Sequence, residues 1–80
     1  MILLSISMNQ EALMDRIRAL RISKGISQEE MAFALDISQG NYAKIENNKV
    51  AIGLSKLNRI AQFLEVELST LIHLQKKDDY

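Results

Sequence analysis

"SQEEMAFALDISQGNYAKIENNK", residues 27–49, decides how this chain folds. Ser27 and Glu30 have the spacing of a capping box, in which each side chain satisfies the other residue's backbone N–H at the start of a helix. A helix beginning there runs through Leu35, with Met31 and Leu35 one turn apart on its inner side. Ile37 falls at the turn, and Ser38 caps a further short helix through about Glu46, with Tyr42 and Ile45 inward. Two short helices separated by so few residues make a helix-turn-helix arrangement, and Ala32 is small enough to let them approach near their crossing.

Working outward, Leu13, Ile17 and Leu20 form an apolar stripe at i, i+4 and i+7, so a preceding helix is expected from about Met8 to Ser23. Ser7 and Gln10 have capping-box spacing at its start, and Gly25 ends it by taking the left-handed conformation at little cost. On the other side, Asn48 is one of the few non-glycine residues that tolerate that conformation, so Asn47, Asn48 and Lys49 close the helix from Ser38. A loop through Gly53 leads to a fourth helix, on which Leu54, Leu57, Ile60, Ala61 and Leu64 are spaced as one buried face. A last helix, about Leu68 to Leu74, brings Leu68, Leu71 and Ile72 together. The expected fold is all-α with five helices: an N-terminal arm over 1–7, a helix-turn-helix domain over 8–74, and a tail over 75–80.

Eighty residues hold one small core and leave no room for a second domain. There is no cysteine, so neither a disulfide framework nor a thiolate metal site is available, and a reducing, cytoplasmic setting is expected. The opening "MILLSIS" lacks the basic flank and cleavage site of a signal peptide, and nothing reaches membrane-spanning length. The formal net charge is zero, yet the charges are segregated. Arg16, Arg18, Arg21, Lys24, Lys44, Lys49, Lys56 and Arg59 face only Glu29, Glu30, Asp36 and Glu46 in the middle of the chain, while the ends are acidic. A local basic face can steer an anionic partner even when the sum vanishes.

The run "LRISKGISQEEMAFALDISQGNYAKIENNK" followed by "LSKLNRIAQFLEVELSTLI" resembles the phage Cro and repressor-type, or XRE-like, helix-turn-helix family over roughly residues 13–72. Members are five-helix domains that bind DNA as dimers. The resemblance implies that Gln28, at the start of the second helix, contacts a phosphate, where unpaired backbone N–H groups and the helix dipole favour an anion. It implies that Gln39, Gly40, Asn41 and Lys44 on the third helix meet base edges in the major groove. Gln39 and Asn41 carry the paired donor and acceptor suited to adenine, and Lys44 can donate to guanine or phosphate. Asn47, Asn48 and Lys49 match the loop that follows the DNA backbone, and Arg18 matches a phosphate-contacting position. Arg21 and Glu46 match a structural ion pair that joins the first helix to the end of the recognition helix. Tyr42 occupies a normally apolar inner position, with its hydroxyl expected to reach a phosphate at the rim. The family usually carries glycine at Asn48, and Gly40 loosens the third helix by about 1 kcal/mol relative to alanine.

The expected activity is that of a sequence-specific transcriptional regulator, a repressor bound to double-stranded DNA as a homodimer on an inverted repeat. The fifth helix with Leu74, helped by the N-terminal segment, is expected to form the dimer contact. Two rivals predict other partners. One is the antitoxin of a toxin–antitoxin unit, with a toxin bound through Phe33 or a chain end. The other is a protein-interaction module that keeps the fold and has lost DNA binding. No nucleophile motif or phosphate-binding glycine loop accompanies the carboxylates, so no enzyme, cofactor or catalytic residue is expected. Lone His73 is no metal site, because a metal needs several ligands.

Overall fold

The computed structural model describes residues 10–72, and these form five α-helices with no strand among them: α1 Gln10–Ser23, α2 Gln28–Leu35, α3 Gln39–Glu46, α4 Leu54–Leu64 and α5 Leu68–Ile72. The expected arm over 1–7, the Met8 start of α1, His73, Leu74 and the tail over 75–80 lie outside the described residues. α2 packs chiefly on α3 and α4, and α1 and α4 are bridged by α5. Met14, Ile17, Met31, Tyr42, Leu57, Ile60, Leu64 and Leu71 are fully buried where these helices converge. Among the described residues no helix is long and apolar enough to cross a membrane.

The caps that delimit the helix-turn-helix follow from local chemistry. Ser27 Oγ accepts from the Glu30 N–H (3.0 Å) and Glu30 Oε1 accepts from the Ser27 N–H (2.8 Å), so both halves of the capping box are made. Ser38 Oγ accepts from the Asn41 N–H (3.1 Å) at the start of α3. The first four helices then stop in the same way. Gly25, Asp36, Asn48 and Glu65 each take the left-handed conformation. The N–H of the residue that follows returns to a carbonyl five residues back: Ile26 to Arg21 (3.0 Å), Ile37 to Ala32 (3.0 Å), Lys49 to Lys44 (2.8 Å) and Val66 to Ala61 (3.0 Å). Three of these followers, Ile26, Ile37 and Val66, pack against the core, whereas Lys49 is exposed.

One expectation needs correction. Leu54 is 55% exposed, so the buried face of α4 begins one turn later at Leu57 and continues through Ile60, Ala61 and Leu64. A first-turn residue that continues the apolar spacing has no neighbour to cover it here. Gln10, whose expected capping partner Ser7 lies outside the described residues, spends its amide on a distant loop. Its Nε2 donates to the Val50 carbonyl (3.0 Å) and its Oε1 accepts from the Ile52 N–H (3.2 Å), so its amide tethers the loop between α3 and α4. Arg16 fastens the other side of α1, donating from Nη1 to the Leu71 carbonyl (2.7 Å).

Candidate nucleic-acid interface

α3 has two chemically distinct sides. Tyr42, Ile45 and Glu46 point inward and are buried, whereas Gln39, Gly40, Asn41 and Lys44 are exposed. At about 100° per residue, Gly40 and Lys44 share the centre of the outer face, with Gln39 and Asn41 flanking it on opposite sides. A Cβ built on Gly40 would meet nothing within 4 Å, so the fold leaves open space there. The outer face therefore presents two amides, a lysine and a stretch of bare backbone. Asn47, Asn48 and Lys49 continue this exposed polar surface past the helix end.

The inner side is held by a buried polar cluster. Glu46 is 1% exposed, yet its carboxylate accepts from Arg21 Nε (2.8 Å) and Tyr42 Oη (2.7 Å) at Oε2. At Oε1 it accepts from Arg21 Nη2 (3.2 Å) and Gln28 Nε2 (2.8 Å). Burial alone would push the Glu46 carboxyl up, but the hydrogen bonds from Arg21, Gln28 and Tyr42 outweigh it and hold the group below its ordinary range. The bond to Glu46 likewise holds the Arg21 guanidinium above its ordinary value against burial. Arg21 Nη1 also donates to the Ile26 carbonyl (2.8 Å), so one guanidinium joins the end of α1, the turn before α2 and the end of α3.

This cluster changes the reading of several residues. Tyr42 is fully buried, so it does not reach a phosphate: its hydroxyl donates to Glu46, and burial followed by that bond raises its pKa far above the usual phenol. Gln28 is half-buried at the first turn of α2 and spends one side-chain N–H on Glu46, leaving its carbonyl and second N–H for an outside partner. Arg18 donates from Nη2 to the Glu46 carbonyl (2.9 Å) and from Nη1 to Asp15 Oδ1 (3.1 Å). It thus places a cation on the carbonyl end of α3, where the helix dipole favours one. The links from Tyr42 and Gln28 to Glu46 were missed by sequence reasoning. The i, i+4 spacing of Tyr42 and Glu46 was the available signal for one of them.

These features define a helix-turn-helix domain whose second helix of the pair carries an exposed, sparsely furnished polar face. The chain matches the helix-turn-helix family over residues 17–71, most of its length, and belongs to that family in its XRE, Cro-like form, whose members are DNA-binding regulators. No curated protein and no solved structure matches it.

Proposed function

We propose that this chain is a transcriptional repressor that binds an inverted-repeat operator as a homodimer in the cytoplasm. The observation that carries the reading is the division of α3 into a buried side fixed by Glu46 and an exposed outer face of Gln39, Gly40, Asn41 and Lys44, with open space over Gly40. Such a face fits a major groove, where Gln39 and Asn41 pair with adenine edges and Lys44 with guanine or a phosphate. Gly40 lets the backbone come close to the bases. Gln28, Arg18, Asn47, Asn48 and Lys49 position each protomer on phosphates, which carry orientation but no sequence information. Two recognition helices then lie in successive major grooves with half-sites about 34 Å apart. The dimer contact is assigned to α5 with Leu74 and the N-terminal segment. Occlusion of a promoter is the simplest mechanism.

The test is selection of binding sites from a random duplex library with the full-length protein at low salt. The expected result is an enriched inverted repeat that is lost with Gln39→Ala plus Lys44→Ala. Absence of enrichment by folded protein would refute the reading. A second reading, in which the repressor is also the antitoxin of a two-gene unit, draws on the exposure of Phe33 and predicts a toxin gene beside its own.

A further inference from the structure

The face of α2 opposite its core side is acidic and aromatic. Met31, Ala32 and Leu35 are buried, and Gln28 turns toward Glu46. The i, i+4 pairs Glu29/Phe33 and Glu30/Ala34 therefore occupy the far side of the helix. Phe33 is 87% exposed, and Phe63 near the end of α4 is 41% exposed. With Glu29, Glu30 and Ala34 these two rings line one groove of about 730 Å³. Phe33 and Phe63 are the exposed aromatic rings among the described residues, and both line this groove.

Charge selects the occupant. From Gly25 to Ala43 the chain has three carboxylates, Glu29, Glu30 and Asp36, and no lysine or arginine. Glu29 and Glu30 line the groove itself, and Arg59, one turn before Phe63 on α4, is outside the lining. Nucleic acid is disfavoured there, because phosphates would meet carboxylates. A second copy offers no lysine or arginine from the same groove to pair with them. We propose that this groove docks a cationic amphipathic segment of a partner protein, with an apolar side chain between Phe33 and Phe63 and lysine or arginine on Glu29 and Glu30. The surface is separate from the outer face of α3, so this inference stands or falls independently of how the protein reads DNA.

The experiment is selection of a random peptide display library on the immobilised full-length protein, counter-selected on the Phe33→Ser variant. The expected winners alternate apolar anchors at helical spacing with lysine and arginine. As synthetic peptides they lose affinity about ten-fold or more with Phe33→Ser, as loss of one buried aromatic contact implies. They also weaken with Glu29→Lys and with added salt. Phe33 is exposed on the far side of α2, so operator binding stays unchanged in Phe33→Ser, the variant on which the test rests. Winners that are neutral or acidic, or the absence of any peptide that depends on Phe33, would overturn the proposal. So would concentration-dependent self-association that disappears in Phe33→Ser, which would assign the groove to a second copy. Loss of DNA affinity in that variant would assign it to the nucleic acid and equally refute the partner segment.

Discussion

Replacing Glu46 with glutamine keeps the shape of the side chain and removes its charge, and the cost can be worked from the four bonds it accepts. Arg21 is left as a buried cation without its counter-ion, a loss of about 3–5 kcal/mol. The amide cannot avoid a clash of donors. Placed at Oε1, its NH2 group faces Gln28 Nε2 and Arg21 Nη2; placed at Oε2, it faces Arg21 Nε and the Tyr42 hydroxyl. Tyr42→Phe is the control. It deletes one charge-assisted bond, worth about 1.5–3 kcal/mol, and falls at the low end because Oε2 keeps Arg21 Nε. For 80 residues the whole folding stability is about 4–12 kcal/mol, so Tyr42→Phe stays folded while Glu46→Gln removes a large share of the total. Urea unfolding followed by circular dichroism at neutral pH measures both. Acidification gives an independent check. Because the Glu46 carboxyl is depressed in the folded state, its contribution is full above the unfolded value near 4.5 and is lost as pH falls through the lower folded value. The gap between the native protein and Glu46→Gln is therefore constant from neutral pH to about 5 and closes below that. If Glu46→Gln costs no more than Tyr42→Phe, or if the gap persists unchanged in acid, Glu46 is not the centre of the cluster and the reasoning fails.

Gly40→Ala is expected to raise thermal stability by about 0.5–1 kcal/mol, since the methyl meets nothing in the fold, and to lower operator affinity where the backbone approaches the bases. Calorimetry and a binding titration separate the two effects, and unchanged affinity would show that the backbone stays clear of the DNA. Glu65→Gly relieves left-handed strain of about 1–2 kcal/mol against a glycine entropy cost of about 0.5–1, so a net gain of about 0.5–1 kcal/mol is expected in chemical unfolding. Lys49→Ala is expected to weaken binding to all duplexes alike and to reduce the salt slope of the binding constant by about 1 per protomer, measured by anisotropy across a salt series.

The parts of the fold that were legible in the sequence are those set by neighbours in the chain. Ser27 with Glu30, and Ser38 with the N–H of Asn41, fix the starts of α2 and α3 through bonds spanning three residues, and such spacing is visible in one dimension. The exposed face of α3 was legible for the same reason, because Tyr42 and Ile45 declare the opposite side. Long-range choices were not. Gln10 has the same relation to Ser7 that Glu30 has to Ser27, yet its amide bonds a loop forty positions away. No local pattern marks that partner. Left-handed Glu65 was equally hidden, since glutamate does not favour the conformation, whereas Asp36 is of a type that tolerates it. The apolar followers Ile37 and Val66 must turn back to the core, and the preceding residue takes the strain. Tyr42 was read correctly as an inner residue and wrongly as a phosphate contact, because the buried acceptor for its hydroxyl lay on its own helix one turn later.

The way α3 is fastened has a consequence for how this domain can change. The stops of α1, α2 and α4 are riveted by Ile26, Ile37 and Val66, whereas α3 ends on Lys49 in solvent and is retained by Ser38, Arg18 and its inward side chains. None of those fixings uses a side chain of Gln39, Asn41 or Lys44: Ser38 takes the Asn41 backbone N–H and Lys49 the Lys44 carbonyl, which any non-proline residue supplies. On the proposed function, those three positions and Gly40 are a replaceable reading head on a permanent mount. New side chains there would then re-address the domain without repacking it, so divergence in target could run ahead of divergence in fold.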